Sequence, residues 1–204
     1  ARSAAKVSEH YSYLGKEKLS HRYLRIAESL TPFNPSYKQR IARAYFEDGN
    51  SSLAQKKLDQ AAVLDPYAPG IYIDKAKIFE VGGFLEDAED NYQRALEISA
   101  YTYPRSYLHL AGFYSRYDRE EKLIDIVKLF SEAFPLNQGY EDYKHIYSYR
   151  GSLVDMARVY LILGQYCEQL SLENCTEYKK KAEILLEDQG AYAPNWLQEN
   201  PKCF

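Results

Sequence analysis

Histidine, cysteine, serine and carboxylate side chains do most protein chemistry, so their spacing is read first. The four histidines, His10, His21, His109 and His145, lie far apart along the chain. None forms H-E-x-x-H or pairs with a cysteine, so neither a zinc hydrolase nor a Cys–His nucleophile is written here. The cysteines, Cys167, Cys175 and Cys203, fit no zinc spacing and no C-x-x-C redox motif. Gly82-Gly83 lacks the G-x-x-x-x-G-K-S/T frame of a phosphate loop. Glu86, Asp87, Glu89 and Asp90 crowd carboxylates at the start of a helix, where negative charge complements the macrodipole. Solvated there, they make a poor acid–base pair. No G-x-S-x-G elbow occurs. The expectation is a chain without catalytic residues, metal or cofactor.

The frame that must carry any binding residues is set by composition and period. Hydrophobic residues make up 46% and charged residues 27% of the 204-residue chain, as in an ordinary folded domain. The formal charge is −3, which argues against nucleic acid, whose phosphates call for a basic excess. No apolar run is long enough to span a bilayer; the nearest, residues 156–163, contains Arg158. The chain begins at Ala1 rather than Met, which reads as a processed product or an excerpt, and no signal-peptide pattern is present. Tyrosine is abundant, 21 against 8 Phe and 1 Trp. It packs as a hydrophobe with a polar tip, which suits half-buried helix surfaces and binding faces.

A period of 34 residues runs through the middle of the chain. Pro32 pairs with Pro66, Pro35 with Pro69, Ala42 with Ala76, Tyr45 with Phe79, and Gly49 with Gly83. In the second half of the unit Ala54 pairs with Ala88, Leu58 with Tyr92, Ala61 with Ala95, and Leu64 with Ile98. Each position has a physical reason. Proline tolerates the first turn of a helix, and Asn34 before Pro35 is a good N-cap. Small alanines let two helices approach. Glycine supplies the left-handed residue that ends a helix.

This pattern, over residues 35–99, resembles the tetratricopeptide repeat. The resemblance implies an all-α, right-handed α-solenoid of about five helical hairpins. Outward the pattern decays. Residues 5–32 read as a first repeat, with Gly15 in the turn and Ser20 in place of an alanine. The next are 35–66 and 69–100. One extra residue enters near Thr102, and 104–135 resumes the pattern, with Leu123, Val127 and Phe130 where Ala, Tyr and Ala belong; these should push the helices apart. The last repeat, about 150–188, needs a turn some six residues longer than usual. The solenoid is thus expected over 1–189, and 190–204 as a non-helical arm. That arm carries Trp196 and Phe204; it either caps the open end or docks into a neighbouring chain.

In this family the first helix of each pair lines a concave groove. The resemblance therefore places Gln39, Arg43, Phe46, Ile73, Lys77, Arg105, Leu108 and Arg116 on a partner-binding groove. Arg43 and Lys77 are equivalent and form a basic ladder that Arg105 and Arg116 could extend. Such a ladder suits an acidic peptide or an anionic glycan, unless Glu47 and Glu80 satisfy it. One subfamily grips a peptide's terminal carboxylate with Lys and Asn. The matching positions here are Ala5, Glu9 and Arg40, or Gln39, Arg43 and Asp74; the asparagines are missing, so that mode is rejected. Tyr140, Tyr143 and Tyr147 share one helical face, for packing or for stacking on a ligand.

The long turn of the last repeat holds Cys167 and Cys175 near its ends. A disulfide there would be worth about 2–3 kcal/mol and would need an oxidising compartment. Asn50 and Asn174 begin N-x-S/T sequons. The expected function is non-enzymatic: a scaffold that holds a protein partner in the groove. A self-assembling subunit of an extracellular filament, or another homo-oligomer, is the alternative. The stretch from Leu64 to Ser99, with its Pro-x2-Tyr-x3-Ala spacing, also resembles repeat tails of bacterial polysaccharide polymerases and ligases. That likeness implies an extracytoplasmic module, with a cytoplasmic one as the alternative.

Overall fold

The computed structural model describes residues 1–99, 103–135, 156–162, 164 and 175–187. Every regular element among them is an α-helix, and the chain is an all-α helical solenoid. It divides into two compact units, Ala1–Ile98 and Ser99–Phe204.

The first unit holds three hairpins: α1 (Arg2–Tyr13) with α2 (Glu17–Leu30), α3 (Pro35–Glu47) with α4 (Ser51–Leu64), and α5 (Pro69–Val81) with α6 (Leu85–Ile98). Successive hairpins join through α2 on α3 and α4 on α5. Local chemistry starts and stops each helix. Pro35 and Pro69 occupy the first turns. Asn34 Oδ1 accepts the N–H groups of Ser36 and Tyr37 at 3.0 and 3.3 Å, a cap worth about 1 kcal/mol. Asn50, read above as a sequon, caps α4 by accepting from Leu53 N–H at 3.1 Å.

The turns inside the hairpins repeat one motif. Gly15, Gly49 and Gly83 have φ of 66°, 77° and 79°, and the residue after each donates its N–H back to Tyr11, Tyr45 or Phe79. This is the helix-ending arrangement in which a left-handed residue lets orphan carbonyls find donors. In the fourth hairpin Asp118 takes that role, with φ of 51°, and Arg119 N–H reaches Tyr114 O at 3.0 Å. The residue added near Thr102 puts Asp118 where the glycine stood.

Alanine makes the crossings close in the first unit. Ala42, Ala54, Ala61, Ala76, Ala88 and Ala95 are fully or almost fully buried. In the first hairpin the two crossing positions are Ser8 and Ser20, both buried, whose hydroxyls hydrogen-bond at 2.9 Å. The apparent irregularity at Ser20 is therefore a matched pair: each serine satisfies the other.

The second unit contains α7 (Pro104–Arg116), α8 (Glu120–Ala133), a helical segment at 156–162, and α9 (Cys175–Glu187). Leu123, Val127 and Phe130 are buried, and α7 and α8 stand farther apart than the helices of the earlier hairpins. Aromatic rings fill the wider space. Tyr107 meets Phe130 edge-on at 5.3 Å and Phe134 at 5.9 Å, and Phe130 meets Tyr160 at 5.0 Å. The Tyr160 hydroxyl donates to the Phe134 carbonyl.

Candidate partner-binding face

In the first unit α1, α3 and α5 are the leading helices of the three hairpins, and polar side chains link them. Arg40 on α3 donates to Glu9 on α1 at 3.1 Å. One hairpin further on, Arg43 Nε donates to Asp74 Oδ2 on α5 at 2.6 Å, and Gln39 donates to the same oxygen at 2.7 Å. Both ion pairs span 31 residues, with the charges reversed from one to the next. Asp74 is the buried member, its side chain 10% exposed, while that of Arg43 is 49% exposed. The carboxylate takes Nε of the guanidinium. The two terminal nitrogens stay available, aimed by a partner that cannot move far.

The outer helices carry a second set of links. Glu28 on α2 accepts from Lys38 on α3 at 3.0 Å and from Lys57 on α4 at 2.7 Å. Burial alone would raise its pKa, but hydrogen bonds and charge from the two lysines outweigh that, so its carboxyl lies below the ordinary glutamate range. His21 Nδ1 lies 3.2 Å from Asp48 Oδ2, in a small cleft with Arg25, Ile41, Ala44 and Tyr45. Lys75 on α5 pairs with Asp59 on α4 at 2.8 Å. No group of three or more metal-binding side chains occurs among the described residues, and no described helix is long and apolar enough to cross a membrane.

No family model matches the sequence, and no curated protein matches it significantly. Solved structures are similar in fold. A crystal structure of MamA aligns with a TM-score of 0.58 at 18% identity, over 90% of this chain and 96% of that one. The Podosopora anserina putative kinesin light chain, described as nearly identical TPR-like repeats, aligns with a TM-score of 0.59 at 16% identity, over 93% and 96%. Pseudomonas aeruginosa PilF aligns with a TM-score of 0.57 at 13% identity, over 96% and 78%. The chain has a tetratricopeptide-type fold. At these identities the likeness is one of fold.

Placed on that fold, the expected groove residues separate into groups. Arg43 is exposed and Gln39 half-buried beside it. Phe46 packs against the core around Ala42, Leu58 and Ile71. Ile73 and Leu108 are buried, at 2% and 7% exposure, so they are packing residues more than surface. Lys77 and Arg105 are half-buried, and Arg116 is exposed. Arg43 is satisfied by Asp74, not Glu47; Glu80 accepts from the Tyr92 hydroxyl at 2.8 Å. The six positions weighed for a carboxylate clamp are therefore largely bonded to one another, and one of them, Asp74, is itself an acid.

Spacing held an unused signal for these links, namely opposite charges set three residues short of the repeat. The Glu28–Lys38–Lys57 network and the His21–Asp48 contact had no such signal. Cys175 is disulfide-bonded; Cys167, Asn174, Trp196, Phe204 and the three tyrosines at 140, 143 and 147 lie outside the described residues.

Proposed function

We propose that the chain is a non-enzymatic interaction module that holds an extended segment of a partner protein against α1, α3 and α5. The observation that carries this is Arg43. Fixed through Nε by Asp74, whose carboxylate Gln39 also holds, it offers its remaining N–H groups to a carboxylate or main-chain carbonyl at little entropic cost. An acidic stretch is the preferred ligand, set in a mixed rather than uniformly basic face, since Asp74 offsets part of the charge. Lys77 on α5 is the other proposed contact in this unit; Arg105 and Arg116 belong to α7 in the second unit. A Cys167–Cys175 bridge is proposed from the disulfide at Cys175, and it favours an oxidising, extracytoplasmic setting.

The test is selection of binding peptides from a displayed random library, with hydrogen exchange to locate them. Protection of α3 and α5, lost in Arg43→Ala and partly restored in Arg43→Lys, supports the reading. Peptides that ignore Arg43 overturn it. The filament-subunit and polysaccharide-assembly alternatives are separated by light scattering of the non-reduced protein: a mass that climbs without limit with concentration selects self-assembly.

A further inference from the structure

One face of the hairpin formed by α1 and α2 is unusually apolar. In the joint between the first two hairpins, α2 is seated on Ile41, Ala44, Tyr45 and Asp48 of the second hairpin, and Glu28 is held by Lys38 and Lys57. Subtracting one repeat gives the same face on the first hairpin: Val7, His10, Tyr11 and Leu14, with Ala4 and Tyr23 in place of the two lysines. In the second hairpin the covered positions Ile41 and Ala44 are buried. In the first, Val7 is half-buried, while His10 and Leu14 are exposed.

Along α2 the apolar surface continues. Leu19, Tyr23, Ile26 and Leu30 are spaced by four, three and four residues, which puts them on one stripe. Leu19, Ile26 and Leu30 are 37%, 39% and 60% exposed, and Tyr23 stacks on Tyr11 at 5.5 Å. The corresponding stripe on α6 is Asp87, Asn91, Arg94 and Ile98, far more polar. Leu19, Ile26 and Leu30 thus leave an apolar stripe partly exposed on α2.

Charge narrows what covers it. Residues 1–30 carry six cations, Arg2, Lys6, Lys16, Lys18, Arg22 and Arg25, against Glu9, Glu17 and Glu28, within a chain of net charge −3. Lys18 and Arg22 flank the stripe, are exposed, and form no ion pair with a described residue. We propose that this open face is a docking site for an amphipathic helix of a partner protein, apolar along one stripe and acidic along its edge. The helix sits on α1 and α2 as α2 sits on the second hairpin. Apolar residues at i, i+4 and i+7 take the places that His21, Arg25 and Glu28 fill in the built joint, and its carboxylates meet Lys18 and Arg22. The site extends the reading of the chain as an interaction module but does not use Arg43 or the face around it.

The test uses two displayed libraries of helical peptides about five turns long, one with glutamate and one with lysine beside the apolar stripe. They are panned on the whole chain, and the selected peptides are measured by fluorescence anisotropy. The expected result is enrichment from the glutamate library only. Binding should weaken about tenfold or more in Leu30→Lys, and in the Lys18→Glu/Arg22→Glu double variant, with unchanged binding in Arg43→Glu. Both sites of change are on the surface, and circular dichroism melts confirm the fold of each variant. Equal enrichment from the two libraries, or insensitivity to both variants, overturns the proposal. So does binding confined to phosphatidylglycerol vesicles, which makes the face a lipid contact. Concentration-dependent dimerisation abolished by Leu30→Lys also overturns it, because the occupant is then a second copy. If library peptides fail here while Arg43-dependent peptides still bind, only this inference falls.

Discussion

The two units solve the same packing problem with different side chains. In the first, alanines at the crossings bring helices together, and the core between hairpins is completed by Leu58, Ile71 and Ile78. In the second, Leu123 and Phe130 stand at two of those crossings, α7 and α8 separate, and Tyr107, Phe134 and Tyr160 fill the gap. Alanine packing depends on backbone approach and leaves no room for a larger group. Aromatic packing depends on a few large rings that each touch several others. The same hairpin geometry therefore fails in opposite ways when it is damaged.

The largest effect expected from that contrast is at Phe130. It is fully buried and contacts Tyr107, Phe134 and Tyr160. Phe130→Ala should destabilise by about 3–5 kcal/mol, by lost burial plus the cavity left behind. Urea unfolding followed by circular dichroism measures it. A loss below about 1 kcal/mol would mean that the ring cluster is not what holds the second unit. In the first unit the damaging change runs the other way. Ala54→Leu imports the residue type found at position 123 and should cost about 1–3 kcal/mol through overpacking. If the variant were as stable as the parent, close helix approach would not be what alanine supplies there.

How far these differences could be read in advance depended on whether they were written into the backbone or into side-chain direction. The helices and turns from α3 to α6 were legible because proline, glycine and alanine act at fixed register positions. The wider fourth hairpin was legible for the same reason, from Leu123 and Phe130. Ser20 was noticed only as a departure, because its meaning lies in Ser8, twelve residues away on the facing helix. The groove was less legible. Ile73 and Leu108 sit at register positions that line a groove in the family, yet here they are buried. The pairing of Arg43 with Asp74 left only a faint mark in the sequence, opposite charges three residues short of the repeat, because it depends on how two side chains cross between hairpins.

The serine pair gives a smaller, sharper test of the alanine rule. Ser8→Ala alone leaves the Ser20 hydroxyl buried without its partner and should cost about 1 kcal/mol. The Ser8→Ala/Ser20→Ala double variant restores the alanine pair of the second and third hairpins and should lie close to the parent in stability. The double-mutant cycle reads the coupling directly. Additive losses would show that the two hydroxyls find other partners and that the hydrogen bond contributes nothing specific to this hairpin.

The smallest of these effects is expected at the joint between the first two hairpins, which relies on charge as well as on shape. Burial opposes ionisation of Glu28, but Lys57 and Lys38 more than compensate, and its carboxyl titrates below the ordinary glutamate range. The sign follows from which state holds the proton. The unfolded chain takes up a proton near the ordinary value of about 4.3, while the folded chain resists until lower pH. The network's contribution is therefore fully present above that value and is lost as pH falls through the folded-state pKa. Glu28→Gln removes the titrating group while keeping its shape, so it should lose stability near neutrality. The gap to the parent should narrow as the solution is acidified past the glutamate range. Thermal melts of the two proteins across the acid range measure this. A gap that stays constant with pH would mean that ionisation of Glu28 contributes nothing, and that the joint between the first two hairpins is held by shape alone.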